Sequence, residues 1–278
     1  MPAIALRRRD AIPHAAERAI ASTLVAIGGA LIFVPLLLTL YLSLFDEKLI
    51  VYPPRGYTLA WYPRIIPEFA GPLLTSLELG VAATIGSLLL GVPAGIGLAR
   101  HRFRGREAIS MLLLAPLTVP GVALGLAIYC FAVLLEENTG VAFSSSIWPM
   151  VGAHLLITTP WVIRLCLAAL TNHERDTEEA AASLGAPPLT VIRRVTLPAM
   201  RQGIIAGGLF AFIFSFGNLE VTLFLVSPGI TTLPIAVLNY LEYHIDPLVA
   251  AVAVAQIALV GGGLLLLDRY VKLGTIVE

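Results

Sequence analysis

Six apolar runs of twenty residues or more, at about 19–45, 74–99, 109–135, 147–170, 203–226 and 248–267, divide this 278-residue sequence. A run of that length crosses a hydrocarbon core about 30 Å thick as one helix rising about 1.5 Å per residue. Peptide groups in lipid have no water to bond, so such runs must satisfy themselves as helices. The sequence therefore predicts an all-α integral membrane protein with six transmembrane helices. Hydrophobic residues make up 58% of the chain and charged residues 13%; soluble domains run near 45–50% and 25%. That balance excludes a typical soluble enzyme, a disordered chain and a nucleic-acid binder with a basic face. No nucleic-acid partner is expected, and membrane lipid is.

The first run follows Arg7, Arg8 and Arg9 and is too long for the apolar region of a signal peptide, so it reads as an uncleaved span. Orientation follows from the basic residues. The N-terminal segment 1–18, the loop after the second run, the loop after the fourth and the stretch after the sixth, with Arg269 and Lys272, hold 14 of the 18 Lys and Arg. Lys48, Arg55 and Arg64 fall on the other side, and Arg164 inside the fourth run. The positive-inside rule then places both termini in the cytoplasm, flanking one membrane domain over 19–270. Cys130 and Cys166 sit in apolar runs with no disulfide or zinc spacing, and read as packing residues. The pairs Gly91/Gly95, Gly121/Gly125 and Gly203/Gly207 read as close helix packing.

One long inner loop, 171–202, stands out. Its residues predict a helix, a stop and a second helix. Asp176 or Thr177 suits the cap, and Glu178 and Glu179 suit the positive N-terminal end. Ala180, Ala181 and Ala182 keep the helix slim, and Gly185 suits a left-handed stop after it. Pro187 and Pro188 open the next helix, and Leu197-Pro198 ends or bends it before the fifth run. Two readings stay open on the residues alone: an amphipathic hairpin on the membrane surface, or a docking element for a soluble partner.

Glu179-Ala180-Ala181, then Gly185, then Val195-Thr196-Leu197-Pro198 resembles the EAA signature of binding-protein-dependent ABC transporter permeases, with Val where Ile is usual. The likeness extends to Gly56–Tyr62, Thr75-Ser76-Leu77, Ala99–Arg106, Thr159-Pro160 and 227–240, and looks closest to the spermidine/putrescine subgroup. The resemblance implies a type I ABC importer permease in a bacterial inner membrane. It implies a dimer of a separate ABC ATPase, a second permease subunit forming a heterodimer, and a periplasmic or lipid-anchored solute-binding protein. Glu178, Glu179, Ala180, Ala181, Ser183, Leu184, Gly185, Leu197 and Pro198 would then form the coupling helix and its support, docked on the ATPase. The chain has no phosphate-binding loop. It is therefore expected to be no enzyme and to hold no cofactor, with ATP and Mg bound by the partner.

Polar residues inside the runs are the pathway candidates: Ser215, Asn218, Glu220 and Thr222 in the fifth, Thr158 with His154 and Thr159 in the fourth, and Gln256 in the sixth. On a continuous helix Ser215, Asn218 and Thr222 share a stripe with Glu220 nearly opposite. Polyamine permeases carry an acidic pair after Ser-Phe in this span. Here Gly217-Asn218 follows Ser215-Phe216 and the acid is displaced to Glu220. The subgroup likeness implies a polyamine or similar small organic compound, and this departure keeps iron, an amino-acid-like compound or a phosphonate as alternatives. An ATP-independent secondary carrier is the competing class. No catalytic set of a membrane enzyme and no metal-ligand spacing is present in the sequence.

Overall fold

A computed structural model describes residues 14–48, 51–171 and 175–271. Its helices in chain order are α1 (His14–Leu42), α2 (Ile65–Arg100), α3 (Arg106–Leu114), α4 (Gly121–Thr139), α5 (Trp148–Thr171), α6 (Asp176–Ser183), α7 (Pro188–Val191), α8 (Leu197–Ala199), α9 (Arg201–Phe216), α10 (Leu233–Tyr243) and α11 (Leu248–Val271). Five stretches are long and apolar enough to cross a membrane, and a sixth is a pair, Pro188–Ala199 and Arg201–Phe216, bent by 68°. The six-span, all-helical expectation holds. Residues 1–13 of the N-terminal segment and 272–278 of the tail lie outside the described residues.

Two runs differ in detail from the expected continuous spans, and one helix outside all six runs is unexpected. The third is not one helix over 109–135: α3 stops at Leu114, a 3-10 turn covers Ala115–Thr118, and α4 begins after Pro120. Pro116 and Pro120 have no N–H to donate, so the ladder breaks between them. The fifth run is helical only to Phe216, not to 226, because Gly217 closes α9 and Asn218 turns the chain. The stretch Leu233–Tyr243 forms an eleven-residue helix, α10, that the apolar pattern did not resolve. Such a length is too short to cross the bilayer.

The chain divides into two compact units, Met1–Arg64 with Ile245–Gln256 and Ile65–His244 with Ile257–Glu278. In the first, the chain after α1 is tied locally. The Trp61 indole donates to the Phe45 carbonyl at 2.7 Å, the Ser43 and Tyr62 hydroxyls lie 2.8 Å apart, and Phe45 pairs with Tyr57. Arg64 covers the Trp61 ring at 5.2 Å.

The second unit is built on α2, α5 and α9. Two of the glycine pairs explain how closely they approach. A Cβ on Gly91 or Gly95 of α2 would meet Val162 or Cys166 of α5 at 2.8 and 2.9 Å. On α9, one on Gly203 would meet Ala169 of α5 at 2.7 Å, and Gly207 also faces Val162. α5 is thus gripped from both sides by small-residue stripes, as van der Waals packing in lipid requires. Val162, Cys166, Leu170, Met200 and Ala211 form the inner core, and Leu79, Met150, Ala153, Ile157, Val221 and Leu225 the other. Cys166 is fully buried and Cys130 is exposed.

Candidate functional site

The inner loop folds as a short helical hairpin whose geometry is set locally. Arg175, not Asp176 or Thr177, is the residue before α6, with no side-chain cap; Asp176, Glu178 and Glu179 all fall in the first turn, where carboxylates suit the helix dipole. The helix ends in two bonds, Gly185 N–H to Ala182 O at 2.9 Å and Ala186 N–H to Ala181 O at 3.2 Å. That pattern needs a left-handed residue at the turn, and Gly185 has φ of +84°. Pro188 then starts α7 where its missing N–H costs nothing. Pro198 cannot donate back into the helix, and the preceding turn, Ile192–Thr196, widens to a π turn closed by Leu197 N–H on Ile192 O.

Glu178 fastens this hairpin to the membrane helices. Its carboxylate lies 3.0 Å from the Arg100 guanidinium at the end of α2 and accepts from the Thr196 hydroxyl at 3.0 Å. Both partners of the ion pair are about 15% exposed (15% and 16%). Glu179 instead points outward and pairs with Arg175 at 3.1 Å. Ala180, Ser183, Leu184 and Gly185 are exposed, and Leu184 is 90% exposed, a large apolar side chain held out on a rigid turn. Ala181 and Leu197 are half-buried and Pro198 is exposed.

The second site is the break after α9. Asn218 accepts from the Val221 N–H at 3.0 Å, and the Thr222 hydroxyl donates to Asn218 O at 3.1 Å. These bonds close a tight turn with Glu220 exposed on it. α4 receives the turn through its glycines: a Cβ on Gly121 would lie 2.6 Å from a Glu220 carboxylate oxygen, and one on Gly125 would run into the Val221 carbonyl. So the third glycine pair packs against this turn.

His154 of α5 is fully buried and engages both flanks of the break. Its Nδ1 lies 2.7 Å from the Ser215 hydroxyl and its Nε2 3.1 Å from that of Thr222. Thr158 faces the other way: its hydroxyl donates to His154 O at 2.6 Å and lies 2.6 Å from Ser87 of α2. Thr159 donates to Ser87 at 3.2 Å. Ser215, Thr222 and Thr158 are therefore buried and internally bonded, Asn218 is half-buried, and Glu220 is exposed. A shared stripe of Ser215, Asn218 and Thr222 requires a helix through 222; the chain turns at 217, so Ser215 and Thr222 are joined by His154 rather than by helical period. Gln256 sits half-buried on α11 with no hydrogen-bond partner among the described residues.

Sequence reasoning passed over Glu78. It stands exposed on α2, next to the core residue Leu79, with no partner among the described residues. Its signal was plain, a carboxylate inside an apolar run. The Trp161 ring of α5 packs 4.4 Å from Phe210 of α9, with its indole N–H buried and unbonded among the described residues.

Residues 91–272 match the family described as binding-protein-dependent transport system inner membrane component. The chain is 30% identical over 241 residues to the putrescine transport system permease protein PotI of Escherichia coli (strain K12), covering 86% of this chain and 85% of that one. It is 34% identical over 216 residues to the molybdenum transport system permease protein ModB of Mycobacterium tuberculosis (strain H37Rv), covering 74% and 81%. Among solved structures, a bacterial ABC transporter involved in import of the acidic polysaccharide alginate shares the fold, with TM-score 0.68 at 15% identity over 98% of this chain and 100% of that one.

Proposed function

Since the chain belongs to the family of inner membrane components of binding-protein-dependent transport systems, we propose that it is one permease subunit of an ATP-driven importer for a short aliphatic polyamine. It pairs with a second, distinct permease, accepts its solute from a periplasmic or lipid-anchored binding protein and takes energy from an ATPase dimer, which alone binds ATP and Mg. Both termini lie in the cytoplasm, on the side of the basic loops.

The observation that carries the coupling role is the hairpin itself. α6 is slim, stopped at Gly185 and tipped by the 90% exposed Leu184, while Glu178 pins its base to Arg100 of α2. A push on Leu184 passes through that ion pair into a helix of 36 residues. ATP binding draws paired hairpins together and the spans follow, and the loaded binding protein favours the outward-open state because a ligand shifts an equilibrium only by its differential affinity. Glu178→Gln keeps the size and removes the charge. ATP-driven uptake is expected to fall about tenfold, as for loss of a charge-assisted, partly buried bond, with membrane insertion unchanged. Arg100→Met should match it, and the double variant should be no worse than either. Additive losses would show that the pair does not act as one link.

For the solute, Glu220 on its turn and Glu78 on α2 are exposed carboxylates in apolar segments with no partner among the described residues. Negative charge there favours a cation and opposes an oxyanion, which supports the putrescine transporter over the molybdenum transporter as the functional guide. Glu220 is the pathway residue, with Asn218 shaping its turn and Gln256 a further candidate. The test is uptake of labelled putrescine and of molybdate by proteoliposomes holding the complete complex. Putrescine uptake that requires ATP and the binding protein is expected, with KM raised about tenfold by Glu220→Gln. Uptake of molybdate alone would discard the polyamine and leave the importer reading intact.

A further inference from the structure

The fifth span is interrupted at the depth where the third span presents its glycines, and the interruption is bridged by one side chain. Ser215 belongs to the last turn of α9, and Thr222 opens the 3-10 turn beyond the break. Between them five residues, 217–221, lie outside any helix, Glu220 among them. Within the gap the Asn218 N–H reaches Ser215 O and the Thr222 hydroxyl reaches Asn218 O, but neither bond refers the two ends to another helix. His154 approaches from α5 and touches both hydroxyls, at 2.7 and 3.1 Å. The imidazole is rigid and its two nitrogens point to opposite sides of the ring, so together the two bonds set a distance and a direction that a single bond would leave free.

We infer that His154 is a positioning residue for transport: it clasps the broken fifth span and thereby sets where the Glu220 carboxylate stands. This rests on Glu220 lying on the solute pathway. His154 itself is fully buried, so it does not touch solute. Its backbone carbonyl takes the Thr158 hydroxyl, and that hydroxyl meets Ser87 of α2. The clasp is therefore referenced to α2, the helix that carries the load from the inner hairpin. Among the described residues no ionisable side chain of α2, α4 or α9 is bonded to the ring, and its partners are the two hydroxyls.

A buried histidine also stabilises packing, and the test separates the two roles. His154→Leu strips the buried Ser215 hydroxyl of its partner and leaves that of Thr222 only its bond to Asn218 O, and is expected to weaken the fold. The triple variant His154→Leu, Ser215→Ala, Thr222→Val replaces the whole network by apolar groups, which can restore stability nearly fully. Complete complexes carrying each variant are compared for yield, ATP hydrolysis and putrescine uptake. The triple variant is expected to assemble and hydrolyse ATP as the unaltered complex does, with uptake lowered about tenfold and chiefly through KM. Combining it with Glu220→Gln should cause no further loss, because both act through one carboxylate. Uptake restored along with stability would overturn the inference, as would additive losses with Glu220→Gln. Failure of the unaltered complex to take up putrescine at all would instead strike the solute reading; the clasp is then judged by the mobility of a spin label at residue 217, expected to rise in the triple variant and contradicted if unchanged.

Discussion

Gly185→Pro is expected to separate ATP hydrolysis from uptake without preventing membrane insertion. Gly185 has φ of +84° and donates its N–H to Ala182 O. Proline holds φ near −65° and has no N–H, so it can supply neither. It also disfavours the helical backbone at Leu184, the residue meant to project from the turn. The cost is about 3 kcal/mol or more, and it falls on the tip of α6 rather than on the spans. Since about 1.4 kcal/mol is a tenfold change, the docked geometry should be lost by about a hundredfold and uptake with it. Gly185→Ala faces only the left-handed penalty of about 1–2 kcal/mol, because a Cβ there meets nothing within 4 Å. Its loss should be intermediate. Measured in proteoliposomes, full uptake by the proline variant would contradict the docking role.

Gly125→Ala is the second large effect, and it arises from a single methyl group. That methyl would run into the Val221 carbonyl, which is backbone and cannot rotate away. Either α4 retreats or the turn bearing Glu220 shifts. Overpacking of this kind costs about 1–3 kcal/mol, and here the strain is placed beside the pathway carboxylate. The variant should melt several degrees lower in detergent and lose most uptake while still binding its ATPase. Gly97→Ala is the contrast: the same change in α2, where a Cβ meets nothing within 4 Å. It should be neutral or slightly stabilising, because alanine is the better helix former. Equal damage from both would mean that helix propensity and not contact decides.

The residues differ in how far they could be understood before the fold was seen. The inner hairpin was legible because every bond that shapes it is local: Gly185 closes on Ala182, Ala186 on Ala181, and Leu197 on Ile192. Its anchor was not, because Arg100 and Glu178 lie 78 residues apart. The six spans followed from hydropathy, yet hydropathy does not distinguish a helix from an apolar turn. Residues 217–226 still carry six apolar side chains in ten after α9 has ended, and a helical period runs past the glycine that stops it. The third run hid a break in the same way, with Pro116 and Pro120 as the local signal. His154 showed only that a polar ring lay in an apolar run; its partners are 61 and 68 residues away. Glu78 needed no structure at all, only attention to a carboxylate among leucines and glycines.

The central claim is that α6 meets an ATPase, and Leu184 is the place to ask. Leu184→Cys is introduced with Cys130→Ala, leaving Cys166, which is fully buried and shielded from reagent. Val141→Cys, at an exposed position past the end of α4, serves as the contrast. Membranes from cells expressing the native operon are treated with a short thiol-to-amine cross-linker. Position 184 is expected to join the chain to the ATPase subunit and position 141 is not. Cross-linking of 141 but not 184 to the ATPase, or of neither in membranes that still show ATP-driven uptake, would contradict it.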